Sequence, residues 1–288
     1  MSRVVPLLTV LAAIFAVWYL AAVAMNASLQ RDLFANADNK TYTTGDLVSA
    51  SLNMERPKLP APHQIAAELY KLIIVTDPSS KRSLVYHASI TLEETLIGFF
   101  IGAALGIGLA VLIVAVPLLE RSLMPWIVAS QTVPIIALAP MIVVILNQFD
   151  IGGMTPKAVI AAYLSFFPIT VGMAKGFRSP DPLQLDLMRT YSATPSQVLT
   201  KLRAPASLPF FFASMKIGAA AALVGAVVAE VTKSEDGGLG ARLLAGSYYG
   251  QTVQIWAALF TAAFLSGALV AIIDIIGRVT LKRLAFPT

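Results

Sequence analysis

Few residues of this chain are of the types that do chemistry in enzymes. The two histidines, His63 and His87, do not lie in the His-Glu-x-x-His pattern of a zinc protease. Cysteine is absent, which excludes disulfides, zinc–thiolate sites and thiol catalysis. There is also no Gly-x-x-x-x-Gly-Lys-Ser/Thr loop, so the chain cannot bind ATP in the P-loop manner. With no nucleophile, base or metal set to name, we expect no catalytic residue and no metal site, and a membrane enzyme is disfavoured.

Charged residues in or beside strongly apolar runs are the other candidates for chemistry. They are Glu93, Glu94, Lys216, Glu230 and Asp274. Charges buried within a membrane span are the usual mark of proton-coupled or ion-coupled transport. All five come near the ends of apolar runs, where their side chains can reach headgroups or water. We therefore interpret them as interfacial charges, and a stand-alone secondary transporter or channel is the alternative hypothesis.

The elements that must position these residues are membrane helices. Hydrophobic residues make up 57% of the 288 residues and charged residues 13%, and the mean hydropathy is +0.75. These values indicate an integral membrane protein. The formal charge is +5, but the basic residues cluster at the ends of apolar runs, as topology signals do. We expect them to contact lipid headgroups and not nucleic acid.

Six apolar runs are long enough to cross about 30 Å of hydrocarbon as helices. They predict an all-α membrane protein with about six transmembrane helices. The third run contains Pro125, Pro134 and Pro140, each of which can kink or break a helix. Broken helices are tolerated where they line a cavity, so we expect this run to form the pore wall. The six runs are residues 4–25, 95–119, 122–149, 157–175, 208–231 and 253–276.

Polar residues near these prolines, together with Pro134 itself, are candidates for the translocation path. Gln131, Thr132 and Pro134 lie in the third run, and Ser165 lies in the fourth. The polar side chains could equally satisfy backbone groups that nearby prolines leave free.

Two runs carry a further signal. Gly98, Gly102 and Gly106 place a small residue at every fourth position of the second run, which lets another helix approach closely, although glycine is also common in membrane helices. The first run could be a cleaved signal peptide, because Ala22-Val23-Ala24 is typical of a cleavage site. It is longer than a usual signal core, so we expect a transmembrane helix.

The stretch 26–89 is polar and mixed in charge, and we expect it to form a long external loop. Within it, Ile65, Leu69, Leu72 and Ile73 recur at helical spacing. This pattern predicts an amphipathic helix over residues 63–75 that lies at the membrane surface without spanning it.

The polar segment 179–209, between the fourth and fifth runs, shows two helix starts. Asp181 and Thr194 each precede a proline and are followed three residues later by glutamine, which predicts two capping boxes. We expect Pro205 to end the second helix at Ala204. Helices this short are marginal alone and must pack on something. Apolar residues fall on one side of each, Leu183, Leu187 and Tyr191 on the first and Val198, Leu199 and Leu202 on the second.

Basic residues set the expected orientation. If the N-terminus is cytoplasmic, that side holds ten basic residues, whereas the short loops of the opposite side hold only Lys157, Lys233 and Arg242. We therefore expect both termini and segment 179–209 on the cytoplasmic side, where ATP is available. The ten are Arg3, Arg121, Lys175, Arg178, Arg189, Lys201, Arg203, Arg278, Lys282 and Arg283.

Segment 179–209 resembles the cytoplasmic loop of the membrane subunits of bacterial ATP-binding-cassette importers. The pattern of that loop is Glu-Ala-Ala, three residues, Gly, nine residues, Ile, one residue, Leu-Pro. It fits this sequence without gaps, although larger residues occupy its small-residue positions. Asp186 stands at the Glu position, Leu187 and Met188 at the Ala positions, Ser192 at the Gly position, Leu202 at the Ile position and Ala204-Pro205 at the Leu-Pro position.

From about residue 59 to 283 the chain is similar to the permease branch that serves nitrate, sulfonate, taurine and some vitamin precursors. The long first external loop departs from that branch. The stretches that carry the similarity include Thr132-Val133-Pro134, Ser165-Phe166-Phe167-Pro168 and Val228-Ala229-Glu230 followed by Gly238-Leu239-Gly240.

The resemblance implies the permease subunit of a binding-protein-dependent importer in the bacterial inner membrane. It implies three partners: a dimer of ATPase subunits, a periplasmic or extracellular solute-binding protein, and a second permease copy, as a homodimer or with a similar chain. This chain would hold no cofactor, because the ATPase partner binds ATP and Mg. Coupling to the ATPase would run through Asp186, Leu187, Met188, Arg189, Tyr191, Ser192, Leu199, Leu202 and Pro205.

The expected division of the chain follows. Residues 1–25 form the first transmembrane helix, 26–89 the external loop, 90–283 the permease core and 284–288 a cytoplasmic tail.

Overall fold

The computed structural model describes residues 4–36 and 42–284, and all regular structure in these ranges is helical. The predicted all-α class is confirmed. Residues 285–288 of the predicted tail lie outside the described residues. The elements are α1 Val4–Asn36, α2 Thr44–Leu52, α3 Pro62–Tyr70 with a π-helical turn Lys71–Val75, α4 Leu84–Ala115, α5 Pro117–Ser130, α6 Ile135–Gln148, α7 Thr155–Phe177, α8 Pro182–Thr190, α9 Pro195–Val198 with a π-helical turn Leu199–Arg203, α10 Ala204–Ala206, α11 Leu208–Thr232, α12 Leu239–Tyr248 and α13 Thr252–Arg283.

Five helices of the described chain, α1, α4, α7, α11 and α13, are long and apolar enough to cross a membrane. The pair α5 and α6 is bent by 100° and makes a sixth crossing if it forms one broken span. The prediction of about six spans is therefore confirmed. The break comes just before Pro134, which caps α6, whereas Pro125 and Pro140 lie inside their helices and do not interrupt them.

The helices α1 and α4 extend beyond the apolar runs that predict them. The first continues past Met25 to Asn36, and α4 begins at Leu84 instead of residue 95. Neither extension contains glycine or proline, so nothing in its sequence stops a helix. Hydropathy identifies the part of a helix that is apolar enough to contact lipid, but it does not identify the residues at which the helix begins and ends.

The chain forms two compact units. Of the described residues, the N-terminal unit comprises 4–36, 42–87 and 242–261, and the core unit comprises 88–241 and 262–284. The N-terminal unit thus includes nearly all of the predicted external loop 26–89.

Asn26 organises the N-terminal unit. Its side chain is fully buried, and its Nδ2 donates to the carbonyl oxygens of Ser51 and Leu59 at 3.1 and 2.9 Å. Its Oδ1 accepts from the backbone N–H groups of Lys58 and Leu59 at 2.8 and 3.2 Å. One amide therefore ties α1 to the end of α2 and to the chain before α3, and satisfies backbone groups that burial would otherwise leave unpaired.

Aromatic contacts add to this unit. The ring of Trp18 lies 5.0 Å from that of Trp256 and 6.1 Å from that of Phe260, between centroids. Its Nε1 donates to the carbonyl oxygen of Pro60 at 3.1 Å. The indole thus packs on α13 while its polar edge holds the chain just before α3.

The predicted amphipathic helix exists as α3 and its π-helical turn, but protein covers its predicted apolar side. Ile65 and Leu72 are 3% and 5% exposed. The exposed apolar residues are Tyr70, Ile74 and Val75, near the end of the helix. Helical spacing predicted the helix and its apolar face, but it could not tell a protein surface from a membrane surface.

The core unit is built on close contact among α4, α7 and α11. A Cβ atom added to Gly98, Gly102 or Gly106 would lie within 2.0–2.8 Å of atoms on α7, so α4 and α7 meet at this glycine ladder. A Cβ on Gly225 of α11 would lie 2.7 Å from Ala161 Cα. The glycine spacing therefore served helix packing, as the sequence predicts.

We expect Asn26→Ala to lower the unfolding free energy of the N-terminal unit by about 2–4 kcal/mol, because four hydrogen bonds are lost and buried backbone groups are left unpaired. Limited proteolysis of the purified protein between residues 42 and 60 would measure the loss. Asn53→Ala is the matched control, because Asn53 is exposed and its contacts are peripheral: Nδ2 donates to the carbonyl of Ser49 at the end of α2, and Oδ1 lies 3.4 Å from His63 Nε2. Equal protease sensitivity of the two variants would contradict the role given to Asn26.

Candidate functional site

Two capping boxes shape the segment between α7 and α11. Asp181 Oδ1 accepts from the N–H of Leu183 at 2.8 Å, and Gln184 Oε1 accepts from the N–H of Asp181 at 3.2 Å. The second box repeats this with Thr194 and Gln197, at 3.3 and 2.8 Å. Both predicted helix starts are confirmed.

Pro205 does not end the second short helix, contrary to the prediction. The helix passes through a π-helical turn, in which the N–H of Ala204 donates to the carbonyl of Leu199, five residues earlier. It then continues as α10 to Ala206. The wider turn accommodates the missing N–H and the ring of the proline, so the helical path leads with only a short turn into α11.

The outer face of α8 is apolar although the segment is polar overall. Leu183 and Tyr191 are each 76% exposed, and Leu187 is 55% exposed. These three residues lie four positions apart and therefore form one stripe. Asp186 lies beside them and pairs with Arg189 at 2.8 Å, an exposed pair that adds little stability. An exposed apolar stripe on a short helix is typical of a docking surface.

The other residues predicted to couple to an ATPase differ in exposure. Met188, Leu199 and Leu202 are half-buried, and Pro205 is exposed. Leu199 packs against the hydrophobic cluster of α4, α7 and α11. Arg203, which sequence reasoning did not single out, donates from Nη1 to the carbonyl of Phe177 at 3.1 Å and anchors the segment to the end of α7.

Ser192 adopts a left-handed backbone conformation, with φ of 50°. It ends α8, and the next residue, Ala193, donates its N–H to the carbonyl of Met188 at 3.0 Å. This is the geometry in which helices commonly place glycine. Glycine is also the residue at the corresponding position of the importer loop pattern. In this chain Ser192 forms the same turn, although serine adopts a positive φ less readily than glycine.

The break between α5 and α6 contains three of the predicted path residues. Thr132 and Pro134 are exposed, and Thr132 Oγ1 donates to its own helix at the carbonyl of Ala129. Nε2 of Gln131 is buried and has no hydrogen-bond partner among the described residues. Tyr163 of α7 donates its hydroxyl to the carbonyl of Ser130 and so holds the end of α5.

Ser165, the fourth predicted path residue, lies in a different environment. Its side chain is fully buried and donates to the carbonyl of Ala162 at 3.1 Å. A Cβ on Gly102 would lie 2.0 Å from its Oγ. The structure therefore places Ser165 in the contact between α4 and α7.

A buried charged cluster joins α4, α7 and α11, so protein covers Glu94 and Glu230, and their side chains do not reach headgroups or water as the sequence interpretation expects. Glu94, Glu230 and Lys157 are at most 1% exposed. Nζ of Lys157 donates to Glu94 Oε1 at 2.9 Å, and it lies 3.6 Å from Asp236 Oδ2. The Lys157 ion pair offsets part of the cost of burying the Glu94 carboxylate, whose Oε2 has no hydrogen-bond partner among the described residues.

Glu230 also caps α12. Its Oε1 accepts from the hydroxyl of Thr91 at 2.6 Å, and its Oε2 accepts from the N–H of Gly240 at 2.6 Å. A Cβ on Gly238, where φ is 107°, would lie 2.1 Å from Glu230 Cδ. Because the Gly-Leu-Gly stretch has no side chain at Gly238 or Gly240, its backbone packs closely against the Glu230 carboxylate. The sequence signal for this cap is a glutamate that comes shortly before the Gly-Leu-Gly stretch.

A second charged cluster lies on α11 and α13. Asp274 accepts from Lys216 Nζ at 2.8 Å through Oδ1 and pairs with Arg278 Nε at 2.7 Å through Oδ2. The side chains of Lys216 and Asp274 are 34% and 27% exposed. Among the described residues, no group of three or more acidic or histidine side chains is placed to hold a metal ion.

Comparison with known proteins identifies relatives. Residues 98–286 match the family described as binding-protein-dependent transport system inner membrane component. A probable ABC transporter permease protein of Haemophilus influenzae is 32% identical over 188 residues, which cover 65% of this chain and 75% of that protein. The formylaminopyrimidine transport permease protein of Halalkalibacterium halodurans is 32% identical over 190 residues, covering 66% of this chain and 72% of that protein.

A solved structure is similar in fold. The MetNI methionine ABC transporter in an inward-facing conformation has a chain that aligns with a TM-score of 0.55 at 20% identity. The alignment covers 70% of the present chain and 96% of that chain. At this level of identity the likeness concerns the fold alone.

We expect Lys157→Met to destabilise the core unit by about 3–5 kcal/mol, because it leaves the Glu94 carboxylate buried without its partner. Thermal unfolding of the detergent-solubilised protein would measure this loss. The double variant Lys157→Met/Glu94→Met should recover most of the stability, since both charges are then removed. If the double variant were no more stable than the single one, the pairing would not be the cause.

We expect Ser192→Gly to stabilise the turn after α8 by about 1 kcal/mol, because glycine adopts a positive φ without the steric cost of a Cβ. Tryptic cleavage at the exposed Arg189 should slow about fivefold if local opening controls it. Ser192→Ala is the control and should not slow cleavage. A similar effect of both substitutions would show that the hydroxyl, and not the backbone, matters.

Proposed function

The chain belongs to the family of binding-protein-dependent transport system inner membrane components, and on this premise we propose that it is the permease subunit of an ATP-driven importer. A separate ATPase subunit drives transport by binding α8 and the short helix that follows. The solute is a small organic or inorganic molecule delivered by an external binding protein. The observation that carries the proposal is the exposed apolar stripe of Leu183, Leu187 and Tyr191.

The apolar stripe suits an ATPase partner for physical reasons. This chain has no P-loop of its own, so a nucleotide-driven cycle needs a second polypeptide. The stripe is short and flanked by polar residues, which is the form of a helix that enters a groove on another protein. The excess of basic residues on the same side of the membrane favours a cytoplasmic location, where ATP is available.

The attachment of the segment explains how force would reach the membrane helices. Arg203 bonds to the end of α7, and Leu199 packs on the core cluster. The segment joins α7 to α11, and these two helices are in close contact along their length. A displacement of α8 therefore moves α7 and α11 together as a rigid body, which switches the path between inward-open and outward-open states.

Two copies of the permease complete the proposed assembly, with one translocation path between them and one ATPase subunit under each. The broken pair α5 and α6, with Gln131, Thr132 and Pro134, lines this path. The related permeases are named for formylaminopyrimidine, riboflavin, aliphatic sulfonates and nitrate. We place the solute of this chain within that range, as an inorganic anion, a sulfonate such as taurine or a vitamin precursor.

The buried carboxylates Glu94 and Glu230 favour a second candidate, a transporter that works alone and is driven by an ion gradient. Vesicles that contain only this chain separate the two functions. Uptake driven by an ion gradient in such vesicles would support the second candidate. Uptake that requires the ATPase, ATP and the binding protein would support the first.

We expect Leu187→Asp to weaken binding of the ATPase subunit by about 100-fold or more, because it places a charge at the centre of the apolar stripe. Co-purification from membranes and ATP-dependent uptake would both measure the loss. Leu187→Met keeps the apolar surface and should retain both. Leu187 is 55% exposed, so neither change disturbs the core. Normal co-purification and uptake with Leu187→Asp would remove α8 from the docking surface.

A further inference from the structure

Lys216, Asp274 and Arg278 form an excess of positive charge on the surface of the core unit. Two basic side chains share one carboxylate, so the cluster carries a net charge of +1. The side chain of Arg278 is 77% exposed, and Lys216 is about one-third exposed. The cluster is therefore open to whatever covers this side of α11 and α13.

The spacing of charges along α11 places this cluster within the membrane. Glu230 comes fourteen residues after Lys216, a rise of about 21 Å in an α-helix. The hydrocarbon core of a bilayer is about 30 Å thick, so the two charges cannot both lie at its edges.

The Glu230 cluster is the one at an edge. Lys157 of that cluster lies 3.6 Å from Asp236, whose side chain is 43% exposed in the loop between α11 and α12. The Lys216 cluster therefore lies roughly 9 Å inside the opposite edge. Lysine and arginine can extend toward headgroups from this depth, but the short carboxylate of Asp274, which holds both of them, cannot.

The two sides of α13 differ accordingly. Ala271, Asp274 and Arg278 recur at spacings of three and four and share one side of the helix. Leu269, Ile272 and Ile276 lie on the other side and line an apolar cavity of about 490 Å³ with α4 and α11. The apolar side suits lipid chains, whereas a charge facing lipid at this depth costs about 3 kcal/mol.

We propose that the side of α11 and α13 that carries Lys216, Asp274 and Arg278 lines the water-filled translocation path, and that its net positive charge favours solutes with an anionic group. The inference rests on the proposed permease function. Charged residues at membrane depth face a cavity or the inside of a bundle, and here that cavity is the path between two copies of the chain.

The absence of cysteine makes the two sides of α13 directly testable. Single variants Ala271→Cys and Ile272→Cys place a thiol on the path side and on the lipid side, and both positions are exposed in one copy of the chain. The full importer in inverted membrane vesicles is treated with membrane-impermeant methanethiosulfonates, with and without ATP. We expect Ala271→Cys to react at least tenfold faster than Ile272→Cys in one or both states. Ala220→Cys on α11 is a second path-side position and should react like Ala271→Cys.

Charge is tested with the same variants. For each reagent, the rate at Ala271→Cys is divided by its rate with a free thiol in solution. This normalised rate should be higher for an anionic methanethiosulfonate than for a cationic one. Arg278→Gln should lower the ratio of the anionic to the cationic normalised rate by about tenfold, because it removes one positive charge close to the thiol. Lys175→Gln, at an exposed lysine in the last turn of α7, is the control and should leave the ratio unchanged.

The outcomes separate this inference from the permease function. Equal reaction of Ala271→Cys and Ile272→Cys, faster reaction at Ile272→Cys, or no reaction at the path-side positions in either state would overturn it. A reagent ratio unaffected by Arg278→Gln would overturn the preference for anions. Each result stands whether or not Leu187→Asp releases the ATPase, so a failed path assignment would leave the coupling proposal in place.

Discussion

Close contact among α4, α7 and α11 is the constraint on which the rest of the core unit depends. Helices in lipid gain little hydrophobic free energy from touching one another, so they associate where small residues let backbones meet. The ladder from Gly98 to Gly106 and the contact of Gly225 with Ala161 provide this. The same approach brings Glu94 on α4 within 2.9 Å of Lys157 on α7, a bond that a wider helix spacing would break.

The short helices between α7 and α11 inherit their rigidity from this core. Marginally stable helices need tertiary contacts, and here the second helix supplies them through Leu199 and Arg203. The first helix, α8, leaves its apolar stripe uncovered in the described chain. One half of the segment is thus fixed to the membrane helices, while the other half presents an exposed apolar surface.

Local chemistry was predictable from the sequence, and tertiary environment was not. Capping at Asp181 and Thr194 depends on residues three positions apart, so the sequence predicts it. Helix passage through Pro205 depends on a π-helical turn that no propensity indicates. The role of Asn26 could not be predicted from the sequence, because its four hydrogen bonds join it to residues that lie 25 to 33 positions away in the chain.

Charged residues illustrate the same limit most clearly. Glu230 and Lys216 lie on one helix near opposite ends of one apolar run, and hydropathy treats them alike. Glu230 is fully buried, and its carboxylate is satisfied by Thr91 and Gly240. Lys216 remains one-third exposed beside Asp274. A buried charge can lie at any depth in the membrane, because protein groups replace its water. A charge that faces outward within the membrane needs water beside it, so the surface that carries it must face an aqueous cavity and not lipid.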